Sequence, residues 1–239
     1  MTVTAAMTVT SAIDKPRGLT WPDRARWLAY LKFMLVFYAL FFPVYFGTQY
    51  LVSPARPAMA LFLDWERRIP LIPWMIWPYL SLFTLFAVPL LQMTADEMRR
   101  LTLQSTIPLL TAGVCFVALP CRIGFPPIEI DGWHRGVFEA LRAIDTPQNL
   151  VPSLHVAFSA LILLGAREVA IAPLRRIYLA WLIVMLGAVV LVHQHHLIDV
   201  ATGLAVAAIA RAIFPLHARE PRLLGNRRLV FVLPWKATE

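Results

Sequence analysis

Six apolar runs, separated by polar or charged intervals, set the pattern of this chain. They cover about 27–49, 70–93, 103–120, 152–167, 176–194 and 197–215. Several lie near the lower limit of ~17 residues for a helix that crosses a bilayer. The short ones are bordered by Gly, Pro or His, which suit an interface. The pattern predicts an all-α fold, an integral membrane bundle of six transmembrane helices over residues 26–216. Tails follow from the same reading at 1–25, expected to be loosely ordered, and at 217–239. Pro70, Pro73, Pro78 and Pro89 predict a kinked second span. Between the first two spans, Pro57–Arg68 reads equally as an interfacial amphipathic helix or as a plain loop. A long loop, Cys121–Val151, separates spans three and four and is a natural lid or headgroup reader.

Composition supports the membrane reading. Of the 239 residues, 59% are hydrophobic and only 15% charged, and the mean hydropathy of +0.65 is too high for an ordinary soluble domain. The first apolar run is too long for the core of a cleavable signal peptide. The net charge of +8 invites a nucleic-acid partner, but the basic residues flank the apolar runs instead of forming a groove with interleaved aromatics. They are better explained by topology and anionic headgroups. With the N-terminus inside, the cytoplasmic segments hold 14 Lys and Arg and the outer segments 6. The expected protein is therefore a multi-pass protein of the cell (inner) membrane, both termini cytoplasmic. Cys115 and Cys121 read as small apolar side chains, with no metal spacing and no disulfide.

Two motifs carry the candidate chemistry. Pro152-Ser153-Leu154-His155 opens the fourth span, and His195-His196-Leu197-Ile198-Asp199 opens the sixth. Polar groups at such places are costly to keep without work to do. A His four residues before an Asp lets the carboxylate reach the imidazole, and a helix start offers N–H groups to an anion. Two histidines, a carboxylate and a helix N-terminus are the parts needed for phosphoryl transfer through a phosphohistidine. The charge count puts both motifs on the outer face.

These residues resemble a known family. Pro152-Ser153-Leu154-His155 is similar to the Pro-Ser-Gly-His motif of the type 2 phosphatidic acid phosphatase superfamily. His195-x-x-x-Asp199-Val200-x-x-Gly203 is similar to its last motif. Leu154, the run Gln194–Asp199, Arg67–Tyr79 and Asp145–Asn149 resemble the inositol phosphorylceramide synthase-like branch. The likeness covers roughly 65–207. Two features depart from it. The family's Lys-x6-Arg-Pro motif is absent, its nearest counterpart being Arg122-Ile123-Gly124-Phe125-Pro126-Pro127, and position 189 is Val where the family has Arg.

The resemblance implies a lipid phosphatase or phosphotransferase acting on an amphiphilic phosphate without metal or organic cofactor. His195 would be the nucleophile, Asp199 its orienting carboxylate and His155 the general acid and base. Ser153 and the first-turn amides would hold the phosphate with Arg122, and with Arg135 or Arg142. Asn149 would bond the phosphate or tie the loop to the helix start. Two alternatives concern function: transfer of a phosphoinositol-like headgroup to a lipid alcohol, and a non-catalytic transporter or assembly protein of the same fold. Two more concern the histidines: His196 as nucleophile, and a metal held by the His193–His196 turn. Tyr and Trp near the span ends read as interfacial belts. The partners expected are a lipid phosphate and the bilayer, with no nucleic acid and the oligomeric state open.

Overall fold

Asp23 starts the first helix. Its Oδ1 accepts the Arg26 N–H at 2.8 Å, and α1 then runs over Arg24–Gly47. The computed structural model describes residues 15–52, 56–144 and 148–217; Asp145 and most of both expected tails lie outside these described residues. Helices and short 3-10 turns make up the described residues, with two isolated bridges and no strand.

Prolines break the second apolar run as the sequence predicts. The path winds through α2 (Ile76–Leu80), α3 (Leu82–Leu85) and α4 (Ala87–Gln92). Pro89 has no N–H for the Leu85 carbonyl and crowds it, so regular helix lapses at Phe86. Ser81 Oγ bonds the Pro78 carbonyl at 2.6 Å, at the other lapse. The third run is longer than its hydropathy suggests. Thr94 and Glu97 form a capping box, and α5 covers Ala95–Ala118.

Three helices, α1, α5 and α8 (Ala172–Leu191), are long and apolar enough to cross a membrane. Two shorter ones complete the bundle, α7 (Leu154–Val169) and α9 (Leu197–Ile213). Nearly every residue of α7 is buried, from Leu154 to Val169. A helix that is apolar on all sides belongs in the interior, and α7 packs against α5, α8, α9 and the broken α3–α4 path. It is the axle on which the site is mounted.

The two ends of this bundle differ. At the end where α5 starts and α7 and α9 finish, Arg17 pairs with Glu97 and Arg211 with Glu168, while Arg100 bonds the Pro215 carbonyl at 3.0 Å. Residues from Lys15 onward are tied down there, through Arg17 N–H to the Val169 carbonyl (2.7 Å) and Thr20 N–H to that of Leu91 (2.9 Å). This part of the N-terminal tail is therefore not loose. At the opposite end α7 and α9 both begin, and the histidines gather.

Candidate functional site

Gly203 makes the meeting of α7 and α9 possible. A Cβ there would lie 2.6 Å from the Ser153 carbonyl oxygen and 3.1 Å from Val156. Without one, the starts of the two helices touch, and Ser153 N–H donates to the Asp199 carbonyl at 3.1 Å. Ser153 is fully buried, and its Oγ caps α7 by accepting the Val156 N–H at 3.3 Å.

The His195–Asp199 contact arises differently from the helical spacing expected of it. α8 ends at Leu191, and His193 turns the chain with φ of 60°. His196 is then the N-cap of α9, so His195 lies ahead of the helix and not within it. Asp199, in the first turn, reaches back with one oxygen. Its Oδ2 accepts the His196 N–H at 2.8 Å and faces His195 Nδ1 at 3.2 Å. This carboxylate is 2% exposed and sits in the first turn of α9. A proton on His195 Nδ1 is thereby fixed, leaving the Nε2 lone pair free.

His155, in the first turn of α7, completes the pair. Its ring centroid is 6.2 Å from that of His195, with the planes at 54°. Tyr79 stacks on its other side at 4.1 Å, and the Tyr79 hydroxyl stands 3.4 Å from His155 Nδ1. His155 Nε2 is buried and has no partner. A buried polar atom left unmet is costly, and one beside a second imidazole is a candidate for work on a ligand. Tyr79, 2% exposed, is thus a wall of the site and not part of an interfacial belt.

His196 is occupied on all sides. Gly124 N–H can only donate, and it points at Nε2 from 2.9 Å; Nδ1–H therefore donates to Glu66 Oε2 at 3.1 Å. Phe62 and Phe125 stack on the ring at 4.6 and 4.2 Å, and Phe125 in turn stacks on His193 at 4.0 Å. With both nitrogens engaged, His196 has no lone pair for attack. His193 Nε2 meets the Ile69 carbonyl at 3.0 Å, so the three histidines of this turn face three separate partners. Among the described residues no group of His, Cys, Asp or Glu is gathered to hold a metal ion.

Glu66 was hidden in the segment read as helix or loop. Pro57–Arg68 is a loop and not an amphipathic helix, and its one 3-10 turn, over Asp64–Arg68, carries Glu66 inward to 1% exposure. Burial works against its charge, but the Leu197 and Leu63 N–H groups and His196 outweigh this and hold the carboxyl below the usual range. The His196 imidazole is also held below its usual range. Burial is the chief cause and prevails over Glu66 and Asp199. A carboxylate facing a neutral imidazole satisfies both directions.

The expected phosphate ligands are only partly assembled. Arg122 is exposed, its guanidinium 5.7 Å from the centre of the Phe62 ring, which puts it one ring away from His196. Arg67, which sequence reasoning did not place in the site, donates from Nε to the Gly124 carbonyl at 3.2 Å. Arg135 is spent elsewhere: it is exposed at the start of α6 (Arg135–Ile144) and its Nε donates to Glu139 at 2.8 Å. Asn149 ties the loop to the end of α1 and not to the start of α7, through Nδ2–H to the Tyr45 carbonyl at 2.6 Å. Arg142 lines a cavity of about 310 Å³ together with His193 and Gln194.

No family model matches this chain, and no curated protein or solved structure matches it either. The site is therefore read from its own geometry. An apolar groove of about 350 Å³ adds the last element. Phe37, Phe41, Tyr79, Phe86 and Phe158 line it, His155 stands in its wall, and Leu141 and Ile144 of α6 close part of it.

Proposed function

We propose that this chain is a membrane enzyme that transfers the phosphoryl group of an amphiphilic phosphate through a phosphohistidine on His195. One observation carries the reading. A buried His–Asp pair with a free Nε2 faces a second imidazole whose own Nε2 is buried and unpartnered. The two motifs resemble those of the type 2 phosphatidic acid phosphatase superfamily, which adds support. So does the groove at His155, whose size and lining suit a hydrocarbon chain.

The transfer would run in two steps. His195 Nε2 attacks phosphorus while the bond to the leaving oxygen breaks, and Asp199 stabilises the imidazolium. His155, taking up a proton as the anionic phosphate binds, gives that proton to the leaving oxygen. An incoming hydroxyl then attacks phosphorus and yields its proton to His155, and the P–N bond breaks. The amides of Leu154 and His155, which helix geometry leaves without intrahelical partners, and the Ser153 cap support the phosphoryl oxygens. Arg122 and Arg142 supply positive charge.

The second cavity favours one variant of this reading. Its Arg142, His193 and Gln194 offer polar groups at a place separate from the apolar groove, which suits a phospho-headgroup passed to a lipid alcohol instead of water. Purified protein given short-chain phosphatidic acid, a prenyl diphosphate and phosphatidylinositol with a lipid alcohol should release phosphate or form a new phospholipid. Release alone identifies a phosphatase, and a new phospholipid a transferase. No turnover of any substrate by folded protein would favour the non-catalytic alternative.

We further propose six spans with both termini cytoplasmic and the histidines outside, on the charge asymmetry of 14 against 6. Here α7, α9 and the broken α2–α4 path join the three long helices as spans. A membrane-impermeant thiol reagent should label a cysteine introduced at Gly132 in intact cells and leave one at Glu97 unlabelled. The reverse pattern would turn the site to the cytoplasmic leaflet.

A further inference from the structure

Past Arg122 the loop is held by side chains, with His196 on the Gly124 N–H and Arg67 on the Gly124 carbonyl. Arg122 N–H does bond the Met59 carbonyl at 3.0 Å, but beyond it Gly124 N–H depends on His196 Nε2. Phe125 is clasped between His196 and His193. Two near-parallel rings cannot share one face of a third at these distances, so Phe62, His196, Phe125 and His193 form one column. Arg122 lies over its Phe62 end. Gly124 lies hard against the same end, where a Cβ would fall 2.3 Å from the Phe62 ring. The Ile69 carbonyl fixes the His193 end of the column, and Glu66 fixes His196 in its middle. That carboxylate accepts the Leu63 N–H on one oxygen and, on the other, the Leu197 N–H and His196 Nδ1–H.

We propose that Glu66 and His196 are positioning residues that hold the Arg122–Phe125 loop against the start of α9, and so fix the Arg122 cation at the end of the ring column built on His196, the residue next to His195. This rests on the phosphoryl-transfer reading for its purpose, but not for its geometry. Neither side chain touches the phosphate. His196 acts as a strut between a carboxylate and a backbone amide, and this role is open only to a neutral imidazole with its proton on Nδ1. The chain reaches from residue 66 to residue 124 through the residue next to the nucleophile.

Two measurements on the full-length protein in detergent test this. His196→Phe keeps an aromatic ring in the column but removes both polar links. Exchange of the Gly124 amide should then quicken about tenfold, with the α7 core amides unchanged. Glu66→Gln, which keeps the size of the side chain, should shift Gly124 in the same direction. Unaltered protection of Gly124 in both variants overturns the proposal. In turnover, His196→Phe and Arg122→Ala should each lower kcat/KM, and the double variant should lose no more than the weaker single variant. A multiplicative loss would show that His196 acts apart from the Arg122 loop, and overturns the positioning role. If the wild type turns over nothing, the phosphoryl-transfer reading fails, and exchange at Gly124 decides the strut by itself.

Discussion

His195→Ala should abolish turnover, with a loss on the order of 10⁶-fold in kcat, as removal of a nucleophile does elsewhere. The chemistry leaves no substitute. His196 Nε2 is bound to Gly124 and His155 belongs to another helix start. A quenched single-turnover experiment with labelled phosphate makes the point directly. Acid-labile, base-stable label should appear on the wild-type chain and be missing from His195→Ala. Label retained by that variant, or lost from His196→Phe instead, would mean that the wrong histidine has been assigned. The alanine variant should remain folded, because His195 lies ahead of α9 and its backbone bond to the Val189 carbonyl does not need the side chain.

Asp199→Asn should cost about 10³–10⁴-fold in kcat while leaving the fold in place. The asparagine oxygen can still accept the His196 N–H that caps α9. That same oxygen still accepts the His195 Nδ1–H, but without a negative charge it no longer balances the imidazolium that forms when Nε2 attacks phosphorus. Stability and rate should therefore separate. Thermal unfolding should shift by only a few degrees, for the two charge-assisted bonds weakened, while turnover collapses. A variant with near wild-type kcat would refute the charge-balancing role of Asp199.

Hydropathy carried the long helices, and its failures have local causes. The third run was placed eight residues late because Ala95–Thr102 is charged on one side, although Thr94 and Glu97 spell a capping box. The prolines of the second run announced its breaks. The His195–Asp199 contact was legible from a four-residue spacing, yet it is made by a cap and not by a helical face. Glu66, Phe62 and Tyr79 were not legible as site residues. Their partners lie 130, 134 and 76 positions away, and periodicity reports only neighbours on the same element. Arg135 was drawn in by charge alone, although its four-residue spacing to Glu139 is itself the signature of the pair that holds it.

The aromatic groove has a consequence for how this protein meets its substrate. Tyr38, Phe42 and Phe83 in its rim are exposed, on helices that in a membrane would border lipid tails. A chain entering there leaves one hydrocarbon medium for another, so burial releases little hydrophobic free energy. The groove would select by fit and by contact with rings, adding little to overall affinity. Encounter would then be two-dimensional. On the proposed function, the quantity that sets turnover would be the mole fraction of lipid phosphate in the surface, and diluting it with inert lipid would slow turnover even at constant bulk concentration.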